Sequence, residues 1–105
     1  MGCIVIACYK PKPGKVEVLT ALMRNYLARL RHEGLATSRA SLMMTAGDGT
    51  LIEAFEWASR EAKERAHENA NVKAMADEIA RACEFVALNE LDEASHPFAE
   101  FSPVD

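Results

Sequence analysis

His67, in the segment A-H-E-N from Ala66 to Asn69, is the residue of this chain best suited to take up a proton. Imidazole titrates near neutral pH and can accept the proton of a phenol or an enol. The alternative is a structural role: a hydrogen bond to the end of the preceding strand, to Glu53 or to a backbone carbonyl, that fixes a helix break. Upstream, LIEAFEW from Leu51 to Trp57 carries two carboxylates in a strand-like run. Glu53 and Glu56 are three residues apart, so a strand points them to opposite faces, and glycosidase-type paired-carboxylate chemistry is excluded. Glu53 shares its face with Leu51, Phe55 and Trp57, either buried or lining a cleft. A carboxylate among aromatics has a raised pKa unless a cation pairs with it. Glu56 shares a face with Ile52 and Ala54 and is expected to reach solvent near the strand end. Arg39, on the neighbouring strand, is placed to pair with one of the two.

Tyr9, Phe55 and Trp57 are suited to line a flat pocket for an aromatic ligand, although residues of this kind are more often simply core. Asn89, in an otherwise apolar run, is a candidate hydrogen-bond donor in such a cavity or an edge residue facing water. The three histidines, His32, His67 and His96, are scattered, and no pair has helical ligand spacing. No metal site and no cofactor are expected. His67 would be the only candidate for an axial heme ligand. Neither a phosphate-cradling glycine motif nor a Ser-His-Asp signature is present.

The elements that must position these groups follow from periodicity. CIVIACY, Cys3 to Tyr9, is a charge-free, β-branched run closed by Pro11, Pro13 and Gly14, as a central strand buried on both faces would be. From Lys15 onward Val16, Leu19, Met23, Tyr26 and Leu30 recur at helical spacing, and Gly34 supplies the stop. Ser38 to Thr45 and Thr50 to Trp57 read as a hairpin turning at Ala46-Gly47-Asp48-Gly49. Ser59 is placed to cap a following helix. That helix should come in two pieces, broken at Asn69-Ala70-Asn71, with Val72, Met75, Ile79 and Cys83 inward in the second. Phe85 to Leu91 reads as a last strand, and residues from about 96 to 105 as an irregular tail.

The 105 residues form one domain with a modest core. A net charge of −4 with mixed signs and no basic stripe argues against nucleic acid. The longest apolar run is too short to span a bilayer and lacks the flanks of a signal peptide, so no membrane partner is expected. Three cysteines without a C-x-x-C pair argue against a disulfide framework and for a reducing, cytoplasmic setting.

The order β-α-β-β-α-β, with right-handed crossovers, gives an α+β, ferredoxin-like fold: a four-stranded antiparallel sheet in order 4-1-3-2 with the helices on one face. The other face is then naked, yet the first strand is apolar on both sides. An exposed apolar face of roughly 500 Å² would be abnormal for a monomer. Covering it on two subunits is worth on the order of 25 kcal/mol gross. A homodimer through the open sheet face, closing two sheets into an α/β barrel, is therefore expected.

E-x-F-E-W from Glu53 to Trp57, S-R-E-A from Ser59 to Ala62 and A-H-x-N-x-x-V from Ala66 to Val72 resemble the dimeric α/β-barrel superfamily, and within it the antibiotic biosynthesis monooxygenase-like proteins. The similarity of element order extends over nearly the whole chain; the local motif covers about twenty residues. The resemblance implies a small cofactor-independent oxygenase of an aromatic or quinol-type substrate, with His67 as base. Its counterpart is a non-catalytic dimeric barrel that holds a small apolar ligand.

Overall fold

The computed structural model describes residues 2–104. Strand β1 (Cys3–Pro11) leads into helix α1 (Val16–His32), the hairpin β2 (Leu42–Thr45) and β3 (Leu51–Trp57), helices α2 (Arg60–Glu68) and α3 (Ala70–Ala82), and strand β4 (Cys83–Val86). Two short 3-10 turns, Leu88–Glu90 and Asp92–Ser95, and a two-residue strand β5 (Ser102–Pro103) complete the chain. The sheet is antiparallel in order β4-β1-β3-β2-β5. The expected 4-1-3-2 order is present, but the sheet has five strands. No helix among the described residues is long and apolar enough to cross a membrane.

Local chemistry sets the element ends. α1 buries Leu19, Met23, Leu27 and Leu30. It stops at Gly34, whose φ of +74° lets the Leu35 amide turn back to the Leu30 carbonyl at 2.8 Å. Ser59 Oγ accepts from the Ala62 amide at 3.0 Å and starts α2. Asn69 ends α2 and opens α3: its Oδ1 accepts from the Val72 amide at 3.1 Å, and its Nδ2 donates to Glu33 Oε1 at 3.3 Å. The break in this helical region thus belongs to Asn69. At the hairpin tip Asp48 Oδ1 accepts from the Thr50 amide at 2.9 Å, and Gly49 supplies a φ of +91°.

The register sorts side chains into rows. Toward the helices lie Val5 opposite Phe55, Ala7 opposite Glu53, and Tyr9 opposite Leu51. Met43 flanks Glu53 from the other side. On the opposite face one row runs Val86, Cys8, Ile52, Met44, and the next Ile6, Ala54, Leu42.

That opposite face is not naked along its whole length. After Val86 the chain leaves the sheet, because Glu90 Oε2 accepts from the Ala87 amide at 2.8 Å and closes a tight turn. The strand after α3 is therefore Cys83–Val86 and not Phe85 to Leu91. The chain then crosses from the β4 edge to the far edge beyond β2. Leu91, Ala94 and Phe101 pack onto Cys8, Ala46, Ile52, Met44 and Val86. Glu93 Oε2 accepts from the Gly47 amide at 2.7 Å, and β5 pairs with β2. Residues from Leu88 onward thus form a strap over part of the face; the tail from about residue 96 is irregular as far as Phe101 and is fastened at its end by β5. The rest stays open, with Ile4 62%, Ile6 48% and Leu42 66% exposed.

Leu91 anchors this strap in the core, whereas Phe98 is 88% exposed. Leu91→Ala is expected to cost about 3 kcal/mol, and Phe98→Ala less than about 0.5 kcal/mol. Urea unfolding midpoints check both; equal effects would mean that the strap is not part of the folded core.

Candidate functional site

Two cavities lie between the sheet and the helices, and they divide the residues that sequence reasoning grouped together. The first, of about 420 Å³, is largely apolar. It exists because β4 pairs with only Cys8 to Pro11 of β1. Beside Ile6 and Ala7 the sheet edge has no strand, and the space between that edge and helices α2 and α3 is left hollow. Tyr9, Tyr26, Trp57, Ile79 and Phe85 line it. Phe85 meets Tyr9 edge-to-face with centroids 5.6 Å apart, and Phe55 meets Trp57 likewise at 5.1 Å. Phe55 itself belongs to the core behind. Such aromatic pairs hold flat surfaces in fixed orientation.

His67 and Lys63 stand on α2 four residues apart, on one helix face, and both line this cavity. Both are exposed, which puts them at the mouth. No hydrogen bond joins His67 to the strand end or to Glu53 among the described residues. Burial raises the Tyr9 hydroxyl well above the ordinary tyrosine range, and the charge of Glu53 adds to this. Tyr26 is raised for the same two reasons. Both phenols therefore stay protonated at neutral pH and can donate hydrogen bonds.

Glu53 lines the second cavity, about 320 Å³ between α1, β2 and β3, with Arg24, Arg31, Ser41, Met43 and Val104. It is 1% exposed, and among the described residues it has neither a hydrogen bond nor an ion pair. Glu56 sits on the other face, where it accepts from Thr37 Oγ1 at 2.8 Å and pairs with Arg39 Nε at 3.0 Å. These two contacts, Thr37 first, hold its carboxyl below the usual range. Arg39 precedes β2 and serves Glu56, away from both cavities. Asn89 lies in the first 3-10 turn, exposed, and not in a strand.

Sequence reasoning passed over Lys63, Phe85 and Arg31. The i, i+4 spacing of Lys63 and His67 was a usable signal for the first. Arg31 sits off the apolar stripe of α1, so the periodicity gives no sign that it lines a cavity. Among the described residues no group of three or more His, Cys, Asp or Glu is placed to hold a metal ion. Comparison with known proteins gives no matching family model, no matching curated protein and no matching solved structure.

Burial lifts the Glu53 carboxyl from the ordinary 4.5 to about 7, with the Arg31 charge opposing the rise. Between those values the folded chain keeps a proton that the unfolded chain releases, so stability falls as pH rises through this window. The cost above pH 7 is on the order of 3 kcal/mol. Glu53→Gln removes the titration. Its stability relative to wild type should therefore grow by up to about 3 kcal/mol between pH 5 and pH 8. A pH-independent difference in urea midpoints would contradict the burial of an ionisable Glu53.

Proposed function

We propose that the protein holds a small, flat aromatic molecule of the phenol or quinol type in the cavity between the β1 edge and helices α2 and α3, and oxidises it with O₂ without a cofactor. The observation that carries this reading is the aromatic lining, Tyr9, Tyr26, Trp57 and Phe85, with an imidazole at the mouth. Apolar cavities with a few convergent polar groups are the usual form of small-molecule sites. The resemblance of E-x-F-E-W and A-H-x-N-x-x-V to antibiotic biosynthesis monooxygenase-like proteins points the same way.

His67 removes a proton from the bound phenol or enol. The resulting anion is electron-rich enough to reduce O₂ itself. In the monooxygenation of an activated CH₂ flanked by rings, one oxygen atom becomes the C=O of the product. The other leaves as water with the two hydrogens of the carbon. The protein contributes one base, orientation, and exclusion of water around the anion. Tyr9 and Tyr26 donate hydrogen bonds to ligand oxygens, and Trp57 and Phe85 fix the ring plane.

The open half of the sheet face supports pairing with a second copy of the chain. The strap leaves about half of the apolar face that a full sheet would offer. The gross gain for two copies then falls to about 12 kcal/mol, against an association cost of roughly 4–15 kcal/mol. The homodimer is accordingly a reversible one and not an obligate one. Ile6 belongs both to this face and to the cavity wall, so the twin stands beside the mouth.

Oxygen uptake with a panel of anthrones, dihydroxyaromatics and quinols tests the reading, with no metal or cofactor added. Turnover of at least one is expected, with one O₂ consumed per product. His67→Ala should lower kcat by about 100-fold and leave the thermal midpoint unchanged, since the side chain is exposed and has no hydrogen-bond or ion-pair partner among the described residues. Tight binding of an aromatic fluorophore without turnover would instead favour a carrier of such molecules. Loss of neither binding nor turnover on Trp57→Ala would place the site elsewhere.

A further inference from the structure

We propose that the second cavity is a separate binding site for a small α-amino or α-hydroxy carboxylate with a short aliphatic side chain. Glu53 and Arg31 line the same cavity and feel each other's charge, yet they form no ion pair within 4.0 Å. A carboxyl that is 1% exposed and lacks any hydrogen-bond partner among the described residues is costly to keep. Buried acids in apolar surroundings normally take up a nearby guanidinium. Here the guanidinium is held back. Arg31 Nε donates to the Thr37 carbonyl at 2.9 Å and its Nη2 to the Arg39 carbonyl at 2.7 Å. Two of its five donors are thus committed to the loop before β2, and the other three remain. The loop before β2 holds the cation and the β3 pleat holds the acid, so both line the cavity without meeting.

The gap between them has a definite chemistry. One end accepts hydrogen bonds, or an ammonium when ionised; the other donates a planar pair of N–H groups suited to a carboxylate. Ser41 adds a hydroxyl to the wall. Arg24 brings a second guanidinium side chain to the wall, and Leu27, Ala28, Met43 and Val104 supply its apolar part. At about 30 Å³ of liquid volume per water-sized group, the space takes a molecule of up to about ten non-hydrogen atoms. A ligand with a carboxylate, an adjacent N–H or O–H donor and a short alkyl chain satisfies all three surfaces. A large aromatic does not, so this site is distinct from the aromatic-lined cavity and does not depend on turnover there.

Titration of the full chain followed by amide NMR tests this, with L-leucine, L-valine and 2-hydroxyisovalerate as probes. Isovalerate and isobutylamine, each carrying one of the two polar groups, serve as controls. At least one bifunctional probe should shift the amides of Ser41, Met43 and Glu53, and bind about tenfold or more tightly than either control. Glu53→Leu, close in volume and free of a buried charge, should weaken that probe by about tenfold or more. Glu53→Gln, which keeps an acceptor, should retain part of the binding. The absence of shifts for all three probes at millimolar concentration would overturn the proposal, as would equal binding to wild type and Glu53→Leu. Water alone would then fill the space.

Discussion

A sheet whose strands are apolar on both sides needs two covers, and this requirement governs most of the molecule. β1 shows it most plainly. Cys3, Val5, Ala7 and Tyr9 pack beneath the helices, while Ile4, Ile6 and Cys8 point the other way. The helices supply the first cover, with hollows left beneath them. The second is supplied in part by the chain itself, whose C-terminal residues lay Leu91 and Phe101 over Cys8 and Ile52. The boundary between the covered and open halves falls between two adjacent rows of side chains, Cys8–Ile52–Met44 and Ile6–Ala54–Leu42.

The same economy creates the cavities. By leaving the sheet after Val86, the chain frees residues for the strap and shortens the pairing of β4 with β1. The hollow beside Ile6 and Ala7 is the direct consequence, and the aromatic side chains of Tyr9, Trp57 and Phe85 surround it. Under α1, Glu53 lies between Ala7 and Met43 on the helix side of the sheet and lines the second cavity. One sheet therefore carries an apolar hollow at its edge and a polar one under α1.

Features set by local rules were readable from the sequence. The alternation in LIEAFEW placed Glu53 with Phe55 and Trp57 and Glu56 on the other face. Ser59 and Asn69 were recognisable as caps because their side chains act within three residues. The element order gave the strand order 4-1-3-2 through the handedness of crossovers. What escaped was decided by contacts distant in sequence. Glu93 meets Gly47, and Ser102 pairs with Thr45, across half the chain. No periodicity marks such a strap, although the apolar Leu91 and Ala94 among acids were a usable sign. Phe85 to Leu91 looked like a strand because Leu88 and Leu91 are apolar, and only the backward reach of Glu90 to Ala87 ends it. The grouping of His67 with Glu53 failed for a similar reason: chain proximity does not reveal which of two cavities a side chain enters.

The central claim is that the uncovered half of the sheet face is completed by a second copy of the chain. Sedimentation equilibrium across micromolar to millimolar concentrations, on wild type and on Ile6→Lys, tests it most directly. A reversible monomer–dimer equilibrium that the lysine shifts to monomer is predicted. A single-chain mass at every concentration, or a dimer indifferent to a charge at Ile6, would contradict it.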